Sequence, residues 1–299
     1  MTDMEGMVAW VDRGGEAYMP LADLAISIQD TGFRQGVVAV ERLRTYGGKP
    51  AELAQHLARW RRTLEHLLIR IPTDQSRVAA RIEALIERNR AWCQQVGDFG
   101  ITMLATPGRS DDPGGGPTQI VHLNPLDFEA IRNHRIHGQP LVITDVQQPS
   151  PRCWPRDIKV RCRLHYYSAD AAARLLIPDG LGVLIDADGS ITETSVANIA
   201  IVRDGNCLAP PIDQVLPGVT QNRIRRLADR IGFSWQHRPL FPADLRDADE
   251  VWLMGTDGGL WFADRVDGHP IGDGAAGPHY RQMLDEFDRQ MRGPAGLPQ

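Results

Sequence analysis

A chain of 299 residues with 42% hydrophobic and 24% charged side chains has the profile of a folded globular protein, with room for one large or two modest domains. Its formal net charge of −5 excludes a basic surface for nucleic acid or an anionic membrane, and no apolar run reaches the roughly 20 residues that a membrane helix needs. The cysteines Cys93, Cys153, Cys162 and Cys207 form no CxxC pair or disulfide-dense pattern, and the acidic N-terminal stretch lacks the layout of a secretion signal, so a cytoplasmic location with reduced thiols is expected.

In chain order, Met7–Val11 is an apolar strand ending in the Arg13-Gly14-Gly15 turn, and Val37–Tyr46 is a second strand stopped by Gly47-Gly48. Leu53, Leu57, Trp60, Leu64 and Leu67 recur at helical spacing, with His56, Arg59 and Thr63 on the neighbouring stripe. A second helix is expected from about Asp74 to Val96, with Thr73 or Asp74 able to cap its start. Strands follow near Ile101–Thr106 and Gln119–Leu123, separated by a flexible loop over 111–117 that lacks the Gly-Lys-Ser/Thr ending of a phosphate loop. The expected domains are a smaller N-terminal one over 1–137, a connection over 138–140, and a larger one over 141–299. In the second, Gly182–Asp186 and Asn198–Val202 read as strands flanking an Asp186–Gly189 turn, Gly218–Ile231 as a helix, Glu250–Met254 and Leu260–Ala263 as strands, and Gly277-Pro278 as the start of a last helix. Strands and helices without strict alternation point to an α+β fold.

Of the 33 basic residues only Lys49 and Lys159 are lysines. Lysine can lose its proton and attack a carbonyl, which arginine does not do. Lys49 sits in a Gly/Pro turn, where a solvated lysine is the ordinary reading; Lys159 lies in a polar–apolar alternation compatible with an edge strand. Three features follow Lys159. Glu193, in Thr192-Glu193-Thr194-Ser195, is either an exposed strand glutamate or the carboxylate that keeps a pyridoxal phosphate ring nitrogen protonated. Leu216-Pro217-Gly218-Val219-Thr220 opens a helix, whose N-terminal amides suit a phosphate but also occur in any helix start. Met254-Gly255-Thr256-Asp257 ends an apolar strand with a hydroxyl and backbone amides. Each is weak alone. His134 and His137 have no further ligands nearby, so no metal is expected.

In this order the motifs carry a resemblance. Asp30-Thr31-Gly32-Phe33 through Glu41, Arg44 and Gly48-Lys49-Pro50, then His56-Leu57-Ala58-Arg59, Arg156-Asp157-Ile158-Lys159, Asp186-Ala187-Asp188-Gly189 through Glu193 and Asn198-Ile199, Leu216 to Thr220, Ala248 to Val251 with Gly255-Thr256, and Ile271 to Pro278 resemble the fold type IV pyridoxal-phosphate enzymes of aminotransferase class IV. That family holds branched-chain and D-amino acid aminotransferases and aminodeoxychorismate lyase. The resemblance implies a two-domain D-amino acid aminotransferase-like fold with cofactor in the cleft, and usually a homodimer. It implies Lys159 as the Schiff-base lysine and Glu193 as the ring-nitrogen partner. Arg59, Val219, Thr220 and Thr256 become phosphate ligands, with Asp257 adding its backbone amide.

Departures fall on the substrate side: Gln35 replaces a common tyrosine, Val40 an aromatic, Arg42 a small residue, Ala200 a phenylalanine and Gln221 an arginine. Arg42 and Arg44 alternate on one strand, so they share a face that can bind a carboxylate or can simply be solvated. With Gln35 and Arg163 they are the candidate substrate-binding residues. The expected activity is amino transfer between an amino acid and a 2-oxo acid. A pyridoxal-phosphate lyase and a non-catalytic ligand-binding relative are the alternatives.

Overall fold

The computed structural model describes residues 4–112 and 114–292. Pro113 of the expected 111–117 loop and the outermost residues of both expected domains lie outside them. The chain divides into two compact units: residues up to Leu126 together with Ile158–Cys162, and Asp127–Asp157 together with the chain from Arg163 onward.

The first unit contains β1 (Val8–Asp12), β2 (Glu16–Pro20), α1 (Thr31–Gln35), β3 (Ala39–Tyr46), β4 (Lys49–Pro50), α2 (Leu53–His66), α3 (Gln75–Arg88), α4 (Arg90–Val96), β5 (Gly100–Thr106) and β6 (Thr118–Asn124). Its sheet runs β2-β1-β6-β5-β3-β4. Leu57, Trp60 and Leu64 of α2 and Val78, Ile82 and Leu85 of α3 bury against Leu43, Ile101, Met103 and Leu123 of the strands. These are the apolar stripes that the helical spacing predicts. The expected helix over 74–96 is corrected to two, broken at Asn89. This buried side chain accepts from Val8 N (2.9 Å) and donates to Val8 O (3.1 Å), pairing with the β1 backbone. A tertiary hydrogen-bonding demand therefore overrides local helical preference.

The second unit begins with α5 (Phe128–His137), which carries His134 and His137, and β7 (Leu141–Gln147). Then come α6 (Leu164–Leu176), β8 (Leu181–Ile185), β9 (Ile191–Thr194), β10 (Asn198–Arg203), β11 (Asn206–Ala209), α7 (Val219–Arg230), β12 (Trp235–His237), α8 (Pro242–Arg246), β13 (Glu250–Gly255), β14 (Gly259–Ala263), β15 (Arg265–Val266), β16 (His269–Pro270) and α9 (Pro278–Arg292). The sheet order is β12-β11-β10-β9-β8-β7-β15-β16, with β13 pairing both β10 and β14. The Asp186–Gly189 turn joins β8 to β9 rather than to Asn198–Val202, which forms the next strand. Helix α6 packs its small side chains inward: Ala169 and Ala173 are buried. Gly182 of β8 has no room for a Cβ against the Ala169 carbonyl, so strand and helix approach at backbone distance. Among the described residues no helix is long and apolar enough to cross a membrane.

Replacing Asn89 with leucine leaves the β1 backbone groups without their side-chain partner. Urea denaturation should show a loss of about 2 kcal/mol.

Candidate active site

In each unit the candidate residues gather at a buried glutamate, Glu41 in the first and Glu193 in the second. In the first, Glu41 on β3 faces the polar stripe of α2. Its Oε2 accepts from Arg59 Nε (3.0 Å), and its Oε1 accepts from Arg59 NH2 (2.7 Å), His56 Nδ1 (3.0 Å) and the Arg42 amide (2.9 Å). Burial alone would push the Glu41 carboxyl up, but the Arg59 charge and the His56 bond outweigh it and hold the group well below the carboxylate range. Burial pushes His56 down, so its imidazole is neutral and Nδ1–H is the donor. The two-pronged grip fixes the guanidinium plane of Arg59.

One turn along α2, Thr63 Oγ1 donates to Arg59 O (3.1 Å) and accepts from the backbone amide of Lys159 (3.0 Å). The Lys159 carbonyl accepts from Val40 N (3.0 Å), and Arg161 N donates to Val38 O (2.9 Å). Lys159 is thus half-buried and anchored at both backbone polar groups. It does not lie in the expected edge strand: an isolated bridge between Ala39 and Val160 is all the strand pairing there. The same unit gathers a basic cluster. Arg42 NH1 donates to Thr102 Oγ1 (2.9 Å) and to Asn124 Oδ1, and burial with the charges of Arg42 and Arg161 pushes the nearby His122 down. Arg44, expected to share a function with Arg42, is buried, donates to Thr45 O (3.2 Å) and stacks over Tyr46 (4.2 Å). Gln35 ends α1 on the surface.

In the second unit Glu193 on β9 is buried rather than exposed. Its Oε1 accepts from Tyr166 OH (2.6 Å) and Gln148 Nε2 (3.0 Å), and its Oε2 from Asn198 Nδ2 (3.0 Å) and Leu216 N (3.2 Å). Asn198 Nδ2 also donates to Leu216 O (2.9 Å). A Cβ on Gly218 would overlap Asn198 Oδ1, so this turn residue must be glycine. The glutamate cage and the start of α7 are therefore one construction. Gly218 is the N-cap of α7 and provides no side-chain cap, which leaves the first-turn amides of Val219, Thr220 and Gln221 directed outward. Gln221 Nε2 is buried without a hydrogen-bond partner among the described residues. Asn198 registers with Met254 on β13, whose end is the half-buried Thr256-Asp257-Gly258 turn. Arg163 donates to Ser195 O and covers the Tyr166 ring (4.4 Å).

These residues fit pyridoxal phosphate. The uncapped helix start and the unpartnered Gln221 amide suit a phosphate. A buried carboxylate, an acceptor by nature, is the group type that a pyridinium N–H needs, and Arg59 is held rigid by an ionised partner. The sequence reading named Glu41 and Gln221 without giving either a role, and did not name Gln148 or Tyr166. The available signals were the single acid of β3 and an adjacent tyrosine pair in an alanine-rich helix.

The family model described as amino-transferase class IV matches residues 39–266, more than half of the chain. A branched-chain-amino-acid aminotransferase-like protein from Arabidopsis thaliana is 26% identical over 297 residues, covering 98% of this chain and 51% of the relative. The chain thus spans about half the length of that relative. A D-alanine aminotransferase from Bacillus licheniformis is 24% identical over 272 residues, covering 87% of this chain and 89% of the relative. Among solved structures, the Escherichia coli branched-chain amino acid aminotransferase superposes with a TM-score of 0.86 at 20% identity, covering 97% of this chain and 96% of that one, a likeness of fold.

Glu41→Gln should cost about 3 kcal/mol, because it leaves the Arg59 charge buried without its carboxylate. The lowered Glu41 contributes stability that is complete above its ordinary value of 4.5 and is lost as pH falls through the folded value. The acid slope of the denaturation free energy should be correspondingly shallower in the variant.

Proposed function

We propose that this chain, which belongs to the amino-transferase class IV family, is a pyridoxal-phosphate-dependent aminotransferase that moves an amino group from an amino acid to a 2-oxo acid. Two observations, one within each unit, support the proposal: an anchored lysine and a caged carboxylate. Lys159, one of two lysines, is fixed at both ends of its backbone, and Glu193 is buried within four donors. When bound, the cofactor supplies an electron sink for the charge left at the substrate's Cα.

The chain's own groups do the rest. Lys159 Nζ would be the point of attachment and then, once displaced, the base that carries the Cα proton. Glu193 would hold the ring-nitrogen proton. Arg59, the amides of Val219 and Thr220, the Thr220 and Thr256 hydroxyls and the Asp257 amide would hold the phosphate, with Gln221 as a further donor. The oriented Arg59 is well suited to this role, because Glu41 already fixes its direction before any phosphate arrives.

On the substrate side, Arg42 with His122 and Arg161 forms the setting for a carboxylate, and Arg161 lies two residues from Lys159. The proposed substrates therefore include an amino acid or oxo acid with a second carboxylate. Arg42 carries that proposal best among the four candidates, since Arg44 packs on Tyr46, Arg163 packs on Tyr166 and Gln35 lies on the surface. Two further readings belong here. Leu164, Tyr167, Leu175 and Leu176 leave an exposed apolar surface on α6 that supports a homodimer. Four unpaired cysteines support a reducing, cytoplasmic setting.

Borohydride reduction of the protein loaded with pyridoxal phosphate, followed by peptide mapping, should place the adduct on Lys159. An adduct confined to Lys49, or none, would sink the proposal. Appearance of the amino group on an added 2-oxo acid separates transfer from elimination. Arg42→Ala should raise KM for a dicarboxylic substrate about tenfold or more and leave monocarboxylic substrates nearly unaffected; equal effects on both would remove Arg42 from substrate selection.

A further inference from the structure

The cage around Glu193 contains a phenol whose role the family resemblance leaves unassigned. Tyr166 OH lies 2.6 Å from Glu193 Oε1 and 3.3 Å from Gln148 Nε2. The direction of these bonds follows from valence. A side-chain amide nitrogen only donates, so the phenol accepts from Gln148 and gives its single proton to the carboxylate. Burial, and next the Glu193 charge, push the phenol well above its ordinary range, so it stays protonated and keeps donating. Arg163 sits over the ring at 4.4 Å and the His165 ring lies 4.1 Å away. Burial and the charges of Arg163 and Arg156 push His165 down to about 4, so Arg163 is the cation of this pair. A guanidinium over the ring face draws on its electron density and strengthens the hydroxyl as a donor. The other three donors have structural duties or lie within the same cage: Asn198 and Leu216 N bind β10 to the start of α7, and Gln148 bridges Tyr166 and Glu193.

Resting on the aminotransferase reading above, we propose that Tyr166, backed by Arg163, is the positioning residue of Glu193, and that its hydroxyl keeps the carboxylate weakly basic so that the shared proton stays on the cofactor's ring nitrogen. A carboxylate that accepts a short, strong hydrogen bond binds a proton less readily. Without that bond Glu193 would be a stronger base and would compete for the proton that a bound cofactor needs at its ring nitrogen to serve as an electron sink. Arg163 on this account acts through Tyr166 and not on the substrate.

Tyr166→Phe tests this, because it removes the hydroxyl and leaves the ring contacts with His165 and Arg163. The protein is loaded with pyridoxal phosphate labelled at the ring nitrogen, and the nitrogen resonance is followed against pH. The variant should still form the borohydride-fixed adduct on Lys159. Its nitrogen signal should reach the unprotonated position about one pH unit lower than in the unaltered protein, and kcat should fall roughly tenfold with little change in KM. A 3-fluorotyrosine at position 166, a sharper donor of nearly the same size, should move the nitrogen titration the opposite way. This second variant keeps the test decisive if the phenylalanine form folds poorly. The proposal is overturned by a normal Lys159 adduct with an unmoved nitrogen titration in either folded variant. Absence of the adduct in the unaltered protein would overturn the aminotransferase reading itself, and this one with it.

Discussion

A carboxylate removed from water must either lose its charge or be surrounded by donors. Glu41 and Glu193 both take the second course, each with four hydrogen bonds. Most of what gives the chain its chemistry follows from this constraint. Glu41 draws Arg59 and His56 inward from α2, and in doing so fixes a guanidinium in a direction that solvent would leave free. Glu193 draws together α6 through Tyr166, the end of β7 through Gln148, β10 through Asn198 and the turn before α7 through Leu216. The donors that make burial tolerable are also the groups that orient the reactive ones.

Asn198 shows how tightly the second cage is built. Its amide nitrogen bridges the carboxylate and the Leu216 carbonyl, and its oxygen sits where any side chain on Gly218 would be. Arg156 adds a further tie, donating to Gln214 O (2.5 Å) and to Asp186 Oδ1 (3.1 Å). The chain entering α7 is thus held by side chains from two other segments. A site whose two ends share one hydrogen-bonded frame keeps its spacing without depending on loop stiffness. The start of α7 has no side-chain cap, so its first amides are not occupied by one.

Much of this was legible in the sequence, and the failures are instructive. Lys159 stood out because thirty-one of thirty-three basic residues are arginine. Helices α2 and α7 announced themselves through apolar spacing, and the polar stripe of α2 is buried beside Glu41. The helix break at Asn89 left no local signature, because its cause is a strand eighty-one residues away. Helix α6 turns alanines inward and leaves leucines outside, the reverse of the pattern that periodicity detects. Arg42 and Arg44 are equivalent by alternation, yet one reaches Thr102 and Asn124 while the other is buried on Tyr46. Local pattern assigns a face of a strand. It does not say what covers each position along that face.

On β3, what the backbone holds is separable from what a side chain reaches. Position 42 contributes to the Glu41 cage only through its backbone amide, which any residue except proline supplies. Its side chain leaves the cage and reaches across β5 and β6. A change of side chain at this position therefore alters the polar surface of the sheet without loosening Glu41, and so without releasing Arg59. By contrast, a change at 41, 56 or 59 strips a partner from a buried charge, with a cost to the fold as well as to the site. The departures from the family pattern at Gln35, Val40 and Arg42 lie on or beside β3, where backbone duties are separable from side-chain ones. Glu193 and Arg59 are held through their side chains, so there no replacement keeps the same bonds.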